Sequence, residues 1–423
     1  MIISSMSLPA KIFVGLILLH CYLIGLWSPS PAAEATIIDG VPHVLNSDQP
    51  RDGQRTLKLQ EAWRVGGDDD EAFFGLIPRV DTDAEGNVYV LDSQLSTVSV
   101  YDRDGDLLRT LFREGEGPGE VIGPRDMFLL DDGRVGLVQD FPGVVVFVDK
   151  DGTPAGRMNI SGTDGGIHSL TGCLGCGDKF LLSGTHHGNN TPGISDRDYF
   201  LERYTDTGDF VAQYAHSHAI YDFNNFVFSE RQHIPPFWFC YSMTPDGTVY
   251  SVPDRDKYAI NVHQPDGTLT RVIERDYEPL QRTDKEYDKV HGMIESAMGN
   301  VPFQVTIEVE RQEAAVANLA RGLQMGPDGR LWVLTGRGAS PQEDGIMAVF
   351  DVFEPGGEFA EQVALKAPHK AIDVGIVLGE PGRILVILSY YESLAAQFGD
   401  GSTYAGEDEE VALPAVICYD IVN

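Results

Sequence analysis

Cysteine, basic residues and long apolar stretches are scarce in this 423-residue chain, and each scarcity excludes a class of protein. Cysteine occurs only five times, which excludes a small scaffold held together by many disulfides. Lys and Arg number 31 against 64 Asp and Glu, and a net charge of −33 repels the phosphate backbone of nucleic acids. No stretch after residue 35 approaches 18 consecutive apolar residues, which excludes a multispan membrane protein.

The N-terminus carries the pattern of a secretory signal. Lys11 supplies the positive charge, residues 12–27 are almost wholly apolar, and Ala33-Glu34-Ala35 matches the small-residue cleavage pattern. We therefore predict a signal peptide over 1–35 and a secreted or periplasmic mature protein without a membrane span. An uncleaved N-terminal membrane anchor and a lipoprotein attached through Cys21 are the alternatives. Residues 36–55 are predicted to be an N-terminal linker.

The remainder is dominated by a repeat of short apolar runs and turns. The chain contains 46 Gly and 24 Pro, many of them in turn-like contexts. Gly86 and Gly105 are 19 residues apart, and so are Gly133 and Gly152. Each glycine sits between two apolar runs, as in a β-hairpin whose turn needs a positive φ. Two such hairpins make one four-stranded unit.

Six such units can be counted in the sequence, and the last lacks its outer strand. Residues 56–59 are a strand-like run that can supply it and so close the units into a ring. Closure buries both faces of every sheet and leaves no unpaired end. We therefore predict an all-β fold, a six-bladed β-propeller over 56–422 closed by an N-terminal strand. An open β-sandwich or solenoid is the alternative.

These units resemble the bacterial secreted six-bladed β-propellers of the NHL-repeat-like group. Besides the units, the segment REGEGPGE, Arg113–Glu120, is similar to the Gly-rich connector that this family carries between blades one and two. The resemblance covers about 56–422. It implies an architecture rather than an activity, because propellers host enzymes, receptors and scaffolds.

Two segments depart from the repeat. A helical insert of about 280–320 separates blades four and five, with a capping-box pattern at Thr283 and Glu286 that predicts a helix over 283–298. A second helix is expected within 308–320. The insert either packs over one propeller face or forms a lid or docking element. The link 215–238 is rich in His and aromatic residues, which favours either a binding loop or a packed aromatic cluster.

The cysteines of the mature chain leave several interpretations open. Cys173 and Cys176 form a C-x-x-C pattern and are candidates for a local disulfide. Two alternatives remain for the pair. The cysteines bind zinc together with His186 and His187, or they are free thiols or paired with other cysteines. Cys240 and Cys418 lie in strand-like runs and are expected to be simply buried, along with the aliphatic side chains.

Ligand-binding candidates come from positions just upstream of the turn glycines, where innermost strands of a propeller converge. Arg125 and Arg321 each precede their turn glycine by eight residues, and Arg79 precedes Gly86 by seven. Asp126 and Asp373 are close to the same phase. Guanidinium groups match carboxylates and phosphates, which favours an anionic ligand. The alternative is that these Arg and Asp side chains form structural ion pairs between blades.

The sequence therefore favours an extracytoplasmic binding module over an enzyme. Its partner would be a small anionic molecule, a peptide or another protein at the channel mouth, with no cofactor and no nucleic acid. The alternative is a divalent-metal-dependent hydrolase or lyase, lactonase-like with Ca²⁺ or amidating-lyase-like with Zn²⁺. Such sites need a ring of carboxylates and amides or several channel histidines. The aligned inner positions do not supply that ring, and the histidines show no repeat phase.

Overall fold

The computed structural model describes residues 34–67, 72–160, 167–176, 179–299, 304–317, 321–340, 342–343, 345–393 and 413–422. Of the predicted signal peptide, residues 1–33 lie outside this part of the chain. None of the described helices is long and apolar enough to cross a membrane. The described chain is mainly β-structure, as predicted.

The strands are, in chain order, β1 (Glu34–Ile38), β2 (Val41–Asn46), β3 (Gln54–Gly66), β4 (Arg79–Thr82), β5 (Val88–Asp92), β6 (Thr97–Tyr101), β7 (Leu107–Leu111), β8 (Pro124–Leu129), β9 (Val135–Gln139), β10 (Val144–Val148), β11 (Pro154–Asn159), β12 (Ile167–Cys176), β13 (Lys179–Thr191), β14 (Ile194–Thr205), β15 (Phe210–Asp222), β16 (Phe226–Ser229), β17 (Tyr241–Met243), β18 (Val249–Ser251), β19 (Ala259–His263), β20 (Leu269–Arg275), β21 (Val305–Glu308), β22 (Leu323–Met325), β23 (Leu331–Leu334), β24 (Ile346–Phe353), β25 (Phe359–Lys366), β26 (Val374–Leu378), β27 (Arg383–Leu388) and β28 (Ala415–Val422). The helices with both ends among the described residues are α1 (Glu230–His233), α2 (Asp284–Met298) and α3 (Gly336–Ala339), with a 3₁₀ turn at Pro236–Trp238.

Consecutive strands pair into antiparallel sheets, because each turn between them is short. β4–β7, β8–β11 and β12–β15 each form a four-stranded sheet, and β17–β20 form four strands of a larger one. β22–β25 and β26–β28 lie in one eight-stranded sheet that also contains β3. The turn residues Gly86 and Gly105 have φ values of +84° and +90°, which only glycine adopts without strain.

The strand β3 joins the beginning of the chain to its end. Residues 58–66 of β3 pair antiparallel with β28, the last strand. Its first part, residues 54–58, pairs in parallel with β25. An N-terminal strand does pair with the last strand, as predicted, but mostly through residues after the predicted 56–59. Of those four, Lys58 and Leu59 pair with β28, whereas Thr56 and Leu57 pair with β25.

Hydrophobic clusters lie between neighbouring sheets, so both faces of a sheet are buried. One cluster contains side chains of the β4–β7 sheet together with side chains of β27 and β28, which links the first sheet to the last. This circular packing is of the propeller type. Residues that share a cluster across a sheet boundary include Val90 with Leu385, Val100 with Val146, Phe147 with Phe200, Tyr199 with Tyr241, Tyr250 with Val333, and Phe350 with Val386.

The segment expected to be a linker, 36–55, contains a hairpin. β1 and β2 pair antiparallel, and β2 pairs in parallel with β20. Asn46 fixes this hairpin, because its side-chain amide donates to the carbonyl oxygens of Glu274 and Gly357, each at 3.0 Å. The chain before β3 is thus part of a sheet.

The insert between β20 and β22 holds one of the two expected helices. α2 begins after Thr283, whose hydroxyl accepts from the backbone N–H of Glu286 while the Glu286 carboxylate accepts from the backbone N–H of Thr283. The predicted capping box and helix over 283–298 are confirmed. The second helix is wrong for residues 308–317, which hold the end of β21 and irregular backbone. Residues 318–320 lie outside the described chain.

The cysteine pair lies on a single strand. Cys173 is a free, fully buried thiol on β12. Three residues of extended chain separate its Cα from that of Cys176 by about 10 Å, beyond the roughly 7 Å that a disulfide spans. This geometry argues against a bond between the two. Cys240 and Cys418 are buried, as expected.

Candidate functional site

Three of the predicted site residues meet at one buried carboxylate. Asp126, on β8, has no exposed surface. Its Oδ1 lies 2.9 Å from Nη2 of Arg321 and 3.8 Å from Nε of Arg79 on β4. Its Oδ2 accepts from the backbone N–H of Cys173 at 2.9 Å. Elements from several sheets therefore converge on Asp126. The similar spacing of Arg79, Asp126 and Arg321 to their turn glycines predicts this convergence.

The electrostatics of this cluster favour the structural alternative for its arginines. Burial raises the pKa of Asp126 to about 6, so the carboxyl is ionised at neutral pH. Burial lowers the pKa of Arg79, but the carboxylates of Asp126 and Asp81 outweigh it and raise that pKa overall. Arg79 and Arg321 thus already neutralise an anion of the chain itself, and Asp126 is an ion-pair hub between sheets.

Close packing around the hub depends on a glycine. A Cβ at Gly172 would lie 2.6 Å from the hydroxyl oxygen of Tyr241 and 3.2 Å from Oδ2 of Asp126. Only glycine lets β12 approach β8 and β17 this closely. The hub is therefore sealed by its neighbours.

The other two predicted residues lie elsewhere. Nη2 of Arg125 is 2.7 Å from Oδ2 of Asp140, and the two line a small cleft of about 280 Å³ beside Phe141. Asp373 is half exposed, with Oδ1 3.5 Å from Nζ of Lys289 on α2. The structure therefore does not bring Arg125 and Asp373 together with Asp126, and the five candidates do not form one site.

A cavity of about 390 Å³, larger than the cleft at Arg125, lies beneath α2. This volume falls within the roughly 300–1,000 Å³ of small-molecule sites. The two segments that depart from the repeat supply most of its walls, Arg197, Ala339 and Tyr391 complete them from elsewhere in the chain, and the lining is largely apolar. The apolar and aromatic lining includes Phe228, Trp238 and Phe239 from the 226–239 segment, and Val290, Met293, Ile294 and Ala297 from α2.

The segment 215–238 is less a loop than a packed aromatic layer. It contains the end of β15, the strand β16 and α1. Tyr221, Phe226 and Phe228 belong to one buried cluster with Ile294 of α2. The aromatic-cluster alternative describes the segment correctly, and the same layer also forms one wall of the cavity.

A buried ion-pair network ties the insert to α1. The Glu230 carboxylate receives both terminal nitrogens of Arg282, at 2.7 and 2.9 Å, and Nη2 of Arg255 at 3.0 Å. Burial raises the pKa of Glu230, but these arginines outweigh it and lower the pKa overall. Because the pairing with Arg282 is bidentate, it fixes geometry as well as charge. The network anchors the start of α2 beside the cavity.

Two further charged groups, which the sequence analysis did not select, line the cavity. Arg197, on β14, stacks its guanidinium 3.9 Å from the ring centre of Tyr221. Glu313 has one carboxylate oxygen buried without a hydrogen-bond partner among the described residues. Burial raises the pKa of Glu313. Neither residue is in phase with a turn glycine, so no pattern in the sequence selects them.

The histidines of the third sheet form a hydrogen-bonded chain. Nδ1 of His186 lies 2.7 Å from Nδ1 of His168, and its Nε2 lies 3.0 Å from the Glu202 carboxylate. Burial and the nearby His186 lower the pKa of His168 to about 4. Across the described residues, no group of three or more His, Cys, Asp or Glu is arranged to hold a metal ion.

Comparison with known proteins gives a weak structural likeness only. No family model and no curated protein matches the sequence. A DUF4221 family member from Bacteroides vulgatus is 11% identical, with a TM-score of 0.44, covering 87% of this chain and 99% of its own. The PQQ-bound aldose sugar dehydrogenase from Streptomyces coelicolor is 11% identical, with a TM-score of 0.41, covering 86% and 98%. The calcium-binding protein regucalcin from Agrobacterium tumefaciens is 10% identical, with a TM-score of 0.39, covering 86% and 94%.

These neighbours are propeller-type proteins with different roles. Identities and TM-scores this low assign neither a family nor an activity to the present chain.

Proposed function

We propose that the protein is an extracytoplasmic six-bladed β-propeller that binds a small molecule or a peptide side chain in the cavity beneath α2. One observation carries this proposal: a largely apolar cavity of about 390 Å³ lies where both segments outside the repeat meet. Binding proteins commonly hold their ligands with inserted segments that a rigid scaffold positions. The six blades are the four-stranded units described above, with β3 completing the last.

This proposed ligand site differs from the one predicted from the spacing between the arginines and the turn glycines. Arg79 and Arg321 are occupied by Asp126, and Arg125 has Asp140 within ion-pairing distance. A ligand at that level of the channel would have to displace buried ion pairs, which is costly. The cavity beneath α2 requires no such displacement.

A neutral apolar dye tests the proposal. N-phenyl-1-naphthylamine fluoresces when it enters an apolar cavity, and we expect a saturable increase with the wild-type protein. Ala297→Phe places a ring in the cavity, because Ala297 lines it from α2, and should weaken dye binding about tenfold or more. Glu295→Phe is the matched control, since Glu295 lies on the same helix with a side chain 73% exposed.

Two results would contradict this proposal. One is dye fluorescence that rises without saturation in the wild type. The other is equal dye affinity in Ala297→Phe and Glu295→Phe, which would place the dye outside the cavity. Unfolding midpoints of all three proteins show whether either variant has lost its fold.

The alternative function, a divalent-metal-dependent hydrolase or lyase, stays a prediction. No arrangement among the described residues favours it. Metal analysis of the purified protein, together with stability and activity measured with and without EDTA, distinguishes the two functions.

A further inference from the structure

Two of the cations that line the cavity are paired with carboxylates of the chain. Arg282 is paired with Glu230 at 2.7 Å, and Lys289 with Asp373 at 3.5 Å. The Glu286 carboxylate accepts from the backbone N–H of Thr283 at 2.7 Å. The charges of Arg282 and Lys289 are therefore compensated by carboxylates of the chain, and the Glu286 hydrogen bond caps the start of α2.

Arg197 is different from the other two cations of the cavity. Within the described chain, no carboxylate lies within ion-pairing distance of Arg197, whose contact is with the face of Tyr221. Its Nε is buried and has no hydrogen-bond partner among the described residues. The stacking holds the guanidinium plane in place but leaves its positive charge uncompensated by a neighbouring anion. A half-buried cation beside apolar walls is stabilised by an anion that enters the cavity.

The surrounding walls determine the rest of the ligand. α2 contributes Val290, Met293 and Ile294 to the cavity, and β16 contributes Phe228. These side chains can contact hydrocarbon but offer it no hydrogen bonds. A ligand that satisfies both features has an acid group at one end and an unbranched or aromatic apolar body.

We propose that the cavity binds an apolar monocarboxylate, whose carboxylate pairs with Arg197 and whose hydrocarbon chain lies against α2. This inference rests on the proposed function and names its ligand class. A planar guanidinium presents two parallel N–H donors, which match a carboxylate. The bound acid would thus supply the counterion of Arg197, for which the described chain provides no carboxylate.

The test compares decanoate with decanol, two ligands of equal chain length that differ in charge. Isothermal titration calorimetry with the wild-type protein should show decanoate binding roughly 10- to 100-fold more tightly, the range expected for a charge-assisted hydrogen-bonded pair. Arg197→Met should remove this preference and bind both ligands alike. Lys289→Met is the matched control: it removes a cation from the same cavity, but one already paired with Asp373, and should keep most of the preference.

The outcomes separate the two proposals. Dye binding without a preference for decanoate, or a preference that survives in Arg197→Met, overturns the monocarboxylate inference and leaves the binding function standing. An equal loss in Arg197→Met and Lys289→Met shows general attraction of anions and also overturns the pairing with Arg197. Failure of the dye and of both ten-carbon ligands to bind overturns the binding function and this inference together.

Discussion

Arg321 places Nη2 2.9 Å from Oδ1 of Asp126, joining the segment before β22 to a strand of the second sheet. Arg79 approaches the same oxygen from β4. The partners come from segments about 200 residues apart in sequence. A single buried carboxylate therefore links distant parts of the ring near its centre.

Replacing this carboxylate should destabilise the fold. Asp126→Asn keeps the side-chain shape but leaves Arg79 and Arg321 without their shared counterion, and breaking a buried pair costs about 3–5 kcal/mol. Part of this cost is offset, because burial raises the pKa of Asp126 and so already disfavours its ionised form in the folded protein. We expect the urea midpoint to fall accordingly, with an unchanged m-value. Asp373→Asn is the control, because its half-exposed pair with Lys289 should contribute below about 1 kcal/mol. Equal midpoints for the two variants would show that the arginines are satisfied without Asp126.

His168 should give the protein a stability that depends on pH. Its pKa is lowered to about 4 from 6.5, first by burial and then by His186. The unfolded chain therefore binds more protons between these values, and the stabilising contribution of neutral His168 is lost as pH falls from about 6.5 to 4. Asp126 titrates in part of the same window with the opposite sign, since its pKa is raised to about 6 and its contribution is lost as pH rises.

The two effects can be separated by comparing variants at each pH. The difference in unfolding free energy between wild type and His168→Gln should shrink by about 1–3 kcal/mol between pH 7 and pH 4. Urea unfolding at half-unit pH steps measures it. Parallel curves for the two proteins would show that His168 does not titrate in this range.

Much of the architecture could be predicted because its signals are local. The spacing of Gly86 and Gly105 marks two hairpins of one sheet, and the capping box at Thr283 marks the start of α2. Docking of the hairpin β1–β2 could not be predicted in this way. It depends on parallel pairing of Val44 with Ile273, more than 200 residues away, which leaves no periodic pattern at either position.

The candidate site was only half predictable for a similar reason. The phase of the turn glycines correctly places Arg79, Asp126 and Arg321 together, but it does not distinguish Asp126 from its neighbour Arg125. The pairing of β8 with β9 shifts register between Pro124 and Asp126, which leaves Arg125 as an extra residue that meets Asp140 while Asp126 meets Arg79 and Arg321. Arg197 comes to the cavity only through the long strands of the third sheet, which the repeat does not specify.

The contact between the closing strand and the first sheet can be tested with two glycines of nearly equal φ. Gly105 has φ +90° and Gly382 has φ +91°, so alanine at either position should cost about 1–2 kcal/mol in backbone strain. A Cβ at Gly105 would also lie 2.8 Å from Cγ of Trp63 on β3, whereas one at Gly382 meets no atom within 4 Å. Overpacking adds roughly 1–3 kcal/mol.

Gly105→Ala should therefore lower the free energy of unfolding, measured in urea, by clearly more than Gly382→Ala. Adding Trp63→Ala should remove the extra penalty of Gly105→Ala. Equal losses in the two alanine variants would mean that β3 does not pack its tryptophan against this turn, and the closing contact would have to be assigned elsewhere.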